Sequence, residues 1–268
     1  MTAVTADLEY DRRIPFGKIR DTWAVTQRDL IHFIRIPQLL IFSTIQPVIF
    51  VLLWRYVFGG AVRPTEAGVP YVDFLMPGIF VQTVVFGAIA TAVGLAADLK
   101  SGMLERFLSL PMARSAVLVG RTLADLVRNV FVVILMVIVG FLVGFRIHTN
   151  VAAFLLGLLL VLLFGYALSW VFATVGLLVK DPETAQAAAF PVLAPLVFAS
   201  SVFIAVEFMP GWLQAFARNQ PVSVTAEGVR ALSIGGATTR PVLQTIFWCS
   251  ALVAIFAPIA VRLYRRAL

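Results

Sequence analysis

Six stretches of the chain stay apolar long enough to cross a hydrocarbon core, which takes about 20 helical residues. They run near Leu39–Phe58, Leu75–Ala97, Leu123–Phe145, Val151–Val179, Ala187–Val206 and Pro241–Val261. Backbone groups in lipid must be paired within their own segment, so each stretch is predicted to be a helix. Ahead of the first, Phe16, Ile19, Trp23, Leu30 and Ile34 share one face at helical spacing, and Lys18, Asp21, Arg28, Asp29 and Arg35 fall opposite. This pattern predicts an amphipathic helix lying along the inner leaflet, with Trp and Arg at the interface; packing on a soluble partner is the alternative. Pro37 then turns the chain into the bilayer.

Composition agrees. The chain has 268 residues, 60% hydrophobic and 13% charged, with mean hydropathy +0.95, where a soluble domain carries about a quarter charged residues. An integral membrane protein is the class that fits. Met1 to Arg35 has no apolar core of the kind a cleavable signal needs, so this segment is expected to remain. Cys249 is the single cysteine and sits in an apolar run, which excludes a disulfide framework and suits packing.

The net charge of +7 is explained by where the basic residues lie, with no nucleic acid partner required. Arg12, Arg13, Lys18, Arg20, Arg28 and Arg35 precede the first span, and Lys100, Arg106, Arg114, Arg121 and Arg128 gather around the loop after the second. The loops after the first and third spans hold only Arg63 and Arg146. Short basic loops stay in the cytoplasm, so both termini are expected inside, with Arg262, Arg265 and Arg266 anchoring the C-terminus. The segment from Glu207 to Arg240 then lies outside despite Arg218, Arg230 and Arg240.

That segment contains Pro210, Trp212 and Pro221 amid apolar stretches too short to span, and reads as two short re-entrant or interfacial helices. Arg218 and Arg230 are expected to pair with Glu207 and Glu227 or with lipid phosphates. Pro191 and Pro195 bend the fifth span, with Ser200 and Ser201 near enough to satisfy freed backbone groups. Between the second and third spans, Gly102 and Pro111 bracket about two helical turns too polar to cross. Met103, Phe107 and Leu110 form a narrow apolar stripe there, and Glu105 and Arg106 flank it, free to pair with another surface.

Several chemistries lack their residues. No glycine-rich turn ending in Gly-Lys-Ser/Thr is present to cradle phosphates, so an energy source must lie elsewhere. His32 and His148 fall outside the spans, no carboxylate is expected beyond the end turns, and Arg55 and Arg128 are expected to snorkel. An ion-coupled secondary transporter is disfavoured on that ground. An intramembrane enzyme lacks a partner for Ser169, Ser200 or Ser201. A scaffold without transport remains an alternative.

The run from Asp98 through Gly102, Glu105-Arg106, Leu110-Pro111 and Arg114 to Gly120-Arg121 and Asp125 resembles the corresponding loop of ABC-2 type permeases, particularly the daunorubicin-resistance type of drug exporter subunit. Leu99-Lys100 stands where many members are more acidic. A second match runs through Met209-Pro210, Trp212-Leu213, Gln220-Pro221 and Arg230-Ala-Leu232, with Met209 in place of an aromatic.

The resemblance implies an all-α protein of six transmembrane helices preceded by the amphipathic helix, with a coupling helix in the cytoplasmic loop and a re-entrant extracytoplasmic hairpin before the last span. Residues 1–37 are then a cytoplasmic segment and residues 38–268 the transmembrane domain. Gly102, Met103, Glu105, Arg106, Phe107, Leu110 and Pro111 would couple to an ATPase; Trp23, Arg28, Leu30 and Ile34 would form an interfacial gate helix. Glu207, Pro210, Trp212, Pro221 and Arg230 would form the re-entrant segment.

By the same resemblance, the chain is a non-enzymatic export subunit of the cell membrane, working with two copies of a P-loop ATPase, a second permease as homodimer or heterodimer, and membrane lipids. No cofactor is expected in this chain, ATP and Mg being bound by the partner. The implied cargo is a hydrophobic drug or lipid, with polysaccharide or a lipid-linked glycan as the alternative.

Overall fold

The computed structural model describes residues 17–35, 37–59, 69–103 and 114–266. Among these residues every regular element is helical. In chain order they are α1 (Gly17–Arg35), α2 (Pro37–Leu52) continuing as a π-helical turn (Leu53–Val57), α3 (Tyr71–Gly87), α4 (Ile89–Lys100), α5 (Arg114–Val143), α6 (Val151–Val179), α7 (Pro182–Phe198), α8 (Gly211–Asn219), α9 (Pro221–Ile234) and α10 (Thr239–Arg266). Between α3 and α4 the Ala88 amide still bonds the Val84 carbonyl at 3.1 Å, so the pair behaves as one rod.

Tyr71–Lys100, Ala116–Val143, Val151–Val179 and Thr239–Arg266 are each long and apolar enough to cross a membrane, and Thr44–Val57 is a shorter apolar helix. The chain is therefore a multi-pass membrane protein.

Local chemistry sets the helix ends. Asn150 caps α6, its side chain accepting from the Ala153 amide at 2.7 Å. Lys180 closes that helix in the left-handed conformation, and Asp181-Pro182 immediately opens α7: the Asp181 carboxylate accepts the Thr184 amide at 3.0 Å, and Pro182 needs no donor in the first turn. Gly102, at φ +68°, stands where α4 stops. Pro210 precedes α8 and Pro221 opens α9, so the two short helices expected between the fifth and sixth apolar stretches are present.

Two boundaries differ most from the sequence expectation. The fifth apolar stretch was expected to reach Val206, but α7 ends at Phe198 and residues 199–205 form turns. These turns stay apolar because they are buried: Val202 packs so closely on α3 that a β-carbon on Gly78 would strike the Val202 carbonyl. Helix α5, formed by the third apolar stretch, begins at Arg114, well before the expected Leu123.

The core forms around α6, which packs against α10, α4, α9, α5 and α3. Phe80, Phe145 and Phe164 are fully buried there, with the Phe80 and Phe145 rings edge to face at 6.0 Å. Cys249 is buried and free, in keeping with a packing role. The outward faces of α5 and α10 carry exposed Phe131, Ile134, Ile138, Leu243, Phe247 and Ile255, the pattern of helices that meet lipid or another membrane helix.

Candidate functional site

The amphipathic helix α1 docks on α5. Thr26 Oγ1 donates to the Gly120 carbonyl at 3.0 Å, and Gly120 permits the approach, since a β-carbon there would sit 2.8 Å from the Thr22 carbonyl. Trp23 and Ile19 point away from the protein, 64% and 65% exposed, while Asp21 and Asp29 are buried. Asp21 and Asp29 of the polar face are thus turned into the protein, and Ile19 and Trp23 of the apolar face are left for the surroundings. Arg28 and Leu30 are half-buried between the two. Ile34 lies within α1.

The reason for this orientation is a charge network. Asp98, in the last turn of α4, accepts from Arg28 of α1 at 3.2 Å and from Arg121 of α5 at 3.0 Å. Arg28 also pairs with Asp29 at 2.7 Å, and Arg121 comes within 3.9 Å of Asp29. Burial is the largest influence on Asp29 and raises its carboxyl, while Arg121 and Arg28 pull it back. A β-carbon on Gly94 would fall on the Arg121 guanidinium, so that glycine makes room for the network. On the other side of α4, Lys100 Nζ meets Asp181 at 2.7 Å. Donation by Lys100, then by the Thr184 amide and hydroxyl, holds the Asp181 carboxyl down at about 2.

Helices α1 and α5 and the α6–α7 turn are therefore tied to the end of α4, immediately before Gly102 and Met103. The expected coupling residues Glu105, Arg106, Phe107, Leu110 and Pro111 lie outside the described residues, as does Phe16 of the amphipathic pattern.

Deeper in the bundle, Arg128 is buried and does not snorkel, contrary to expectation. It donates to the Gly87 carbonyl at 2.7 Å and pairs with Asp125 at 3.3 Å, and Asp125 accepts from Thr91 Oγ1 at 2.6 Å. Because α5 starts at Arg114, Asp125 is well inside its helix, not in an end turn. This carboxylate is neutralised by its own neighbour, which is how an ionised group survives in a membrane helix.

At the opposite end, Tyr71 donates to the Phe203 carbonyl at 2.9 Å. Asp73 is buried and accepts from the Arg146 amide at 2.8 Å and meets His148 Nε2 at 2.7 Å. His148 and Thr149 also bind the C-terminal turn of α9, His148 donating its amide to the Ser233 carbonyl at 3.0 Å. Arg230 of α9 donates to the Phe74 carbonyl at 3.1 Å and the Ser201 carbonyl at 2.8 Å, with its guanidinium 3.7 Å from the Phe74 ring.

The expected pairing of Arg230 with glutamate is not formed. Its planar fork fits two main-chain carbonyls and an aromatic face instead. Arg218 donates to Gln214. Glu207 and Trp212 are exposed.

Asp98, Arg121 and Asp125 belong to the run that carries the family resemblance, but Arg28, Asp29 and Thr91, which complete their networks, lie outside it. Asp73 and His148 had no signal at all, because a contact across 75 positions leaves no periodic mark.

Comparison with known proteins agrees with this architecture. The family model for the ABC-2 type transporter matches residues 20–233. The chain is 36% identical over 238 residues to the daunorubicin resistance ABC transporter permease protein DrrB1 of Streptomyces coeruleorubidus, covering 89% of this chain and 83% of the relative. It is 29% identical over 221 residues to the doxorubicin resistance ABC transporter permease protein DrrB of Mycobacterium tuberculosis, covering 78% of this chain and 73% of that protein. The chain belongs to the ABC-2 type transporter family, as a permease subunit of ATP-binding-cassette exporters. In this family the ATPase is a partner protein and the permeases are dimeric.

Proposed function

We propose that the chain forms half of an export path for a hydrophobic drug or lipid-like molecule, driven by two copies of a P-loop ATPase that grip the loop following α4. The observation that carries this reading is Asp98, bound by Arg28 and Arg121 at the point where α4 enters that loop. A force on the end of α4 then reaches α1 and α5 together. Gly102 and Met103 begin the coupling element, and Glu105, Arg106, Phe107, Leu110 and Pro111 complete its contact with the ATPase. ATP and Mg are held by that partner, and this chain contributes no catalytic group.

In this reading six spans are formed by α2, the α3–α4 rod, α5, α6, α7 and α10, with both termini cytoplasmic. Helices α8 and α9 form the re-entrant hairpin on the outer side. Helix α1 is the interfacial gate, with Trp23 among lipids and Arg28 reporting its position to Asp98. The drug-like cargo is supported by the relatives named for daunorubicin and doxorubicin resistance. A second permease, identical or related, completes the pore against one of the exposed apolar faces.

The test is purification of the tagged chain from native membranes with identification of what accompanies it and measurement of ATP hydrolysis. An associated ATPase whose retention depends on Glu105 and Arg106 supports the reading. A chain that emerges alone and inert in several mild detergents removes it.

A further inference from the structure

The α3–α4 rod changes its hydrogen-bond pattern just past Gly87. The Ala88 amide is shared between the Val84 carbonyl at 3.1 Å and the Val85 carbonyl at 3.3 Å, and the Thr91 amide donates to Ala88 at 3.1 Å. In an uninterrupted α-helix Thr91 would donate four residues back, to Gly87. The Gly87 carbonyl accepts from Arg128 Nη2 at 2.7 Å instead. A carbonyl released from its helix inside a membrane needs such a donor.

Both sides of this break are gripped by one ion pair of α5. Arg128 takes Gly87 on the α3 side. Asp125, 3.3 Å from Arg128, accepts from Thr91 Oγ1 at 2.6 Å on the α4 side. Thr91, Asp125 and Arg128 are all buried. A β-carbon on Gly87 would stand 3.0 Å from Asn129 Oδ1 and 3.5 Å from Arg128 Nη2, so the glycine lets α5 come this close. The Arg128 guanidinium also lies 5.4 Å from the centre of the Phe33 ring of α1.

Beside the break is a cavity of about 110 Å³, with Gln46 of α2, Gln82 and Thr83 of α3 and Arg128 in its wall. Gln82 is buried, and its Oε1 has no hydrogen-bond partner among the described residues. Backbone at the break therefore has space to enter, and a guanidinium leaving Gly87 has a second acceptor in the same cavity. A buried ion pair is weak as plain glue, because its desolvation cost offsets much of the attraction. An apolar pair would join α5 to α4 equally well, but it could not hold a carbonyl on one side of a break and a hydroxyl on the other.

We propose that Gly87–Ala88 is a hinge on which α4 swings against α3, and that Arg128 and Asp125 are positioning residues that set its angle. Helix α4 is then a short lever tied at both ends to α5 and α1, through Asp98 at its tip and through the Arg128–Asp125 pair at its root. The pair determines how much of a pull on the tip becomes movement of α3. The inference rests on the export reading for the source of that pull.

The test is hydrogen–deuterium exchange of the full chain in phospholipid nanodiscs, comparing the original with an Asp125→Asn, Arg128→Gln double variant. The double change removes both charges together and leaves neither buried alone. Exchange in peptides covering residues 86–93 should rise about tenfold, the weight of a hydrogen bond to a charged group, and residues 131–142 of α5 should not change. Thr91→Val keeps the side-chain shape and removes one tie, so it should raise exchange roughly threefold. In the complex with its ATPase, the double variant should retain hydrolysis and lose about tenfold in export per ATP hydrolysed.

Exchange at the break that is equal in the original and both variants overturns the proposal. So does export per ATP at the original level in the double variant. A proportional fall of hydrolysis and export together with a lower melting temperature also overturns it, because that marks a structural brace. Thr91→Val decides the matter if the double variant fails to insert. Exchange needs no ATPase. An original chain that retains no ATPase removes the export reading, and exchange at residues 86–93 still decides the hinge; unchanged exchange with an ATPase retained removes the hinge alone.

Discussion

Asp98 accepts from Arg28 at 3.2 Å and from Arg121 at 3.0 Å, joining three helices through one carboxylate. Arg121 is well shielded and Arg28 partly open, so the Arg121 arm carries most of the interaction energy. Asp98→Asn should leave insertion unchanged and lower ATP-driven export by roughly thirtyfold, since breaking a largely shielded pair costs on the order of 2 kcal/mol and each 1.4 kcal/mol is about tenfold. Exchanging the charges at positions 98 and 121 should recover part of the loss in a double-mutant cycle. Export at the original level in Asp98→Asn would show that the network is structural only.

Close helix approach makes a second expectation. Gly78→Ala places a β-carbon on the Val202 carbonyl, which is backbone and has no room to yield. The substitution should destabilise the bundle by about 2–3 kcal/mol or more, as overpacking does, and lower its melting temperature in detergent. Gly211→Ala is the control, because nothing lies within 4 Å of that position and its φ is ordinary. Equal melting of the two variants would contradict the packing of the 199–205 turns on α3.

Lys100 and Asp181 lock the end of α4 to the α6–α7 turn at 2.7 Å. The Asp181 carboxyl is held down at about 2, below the usual value of roughly 3.9. A depressed carboxyl contributes stability above its unfolded value and loses it as pH falls through the folded one. The melting difference between the original chain and Asp181→Asn should therefore be the same at pH 5 and pH 8. A difference that collapses between those values would show that this carboxyl titrates far higher.

The outward face of α1 gives a fourth handle. Trp23 is exposed, and in the interfacial-gate reading its indole contacts lipid. Brominated phospholipids should quench less of the total tryptophan emission in Trp23→Phe than in the original chain. Identical quenching would place this face in water or against another protein.

Much of the helical order was readable because it rests on local signals. The apolar run of α6 ends at Asn150 and at Lys180-Asp181-Pro182, whose caps need no distant partner. Pro210 and Pro221 likewise announced α8 and α9.

What was not readable depends on contacts between distant positions. The stretch 199–206 remains apolar, so hydropathy carried the fifth helix too far; it turns because α3 presents Gly78 there. Arg128 looked close enough to an end to snorkel, because polar Arg114 to Arg121 concealed the true start of α5. The candidate site was legible in part: Asp98 and Arg121 stood in a recognisable run, while their union with Arg28 and the outward turn of Trp23 required the packed helices.

The most direct test of the central claim is ATPase retention and hydrolysis in complexes purified from native membranes, comparing the original chain with a Glu105→Lys, Arg106→Glu variant. The coupling account expects a P-loop ATPase to accompany the original chain and to be lost, or to hydrolyse ATP without response to cargo, in the variant. An ATPase equally retained and equally responsive to cargo in both would contradict it.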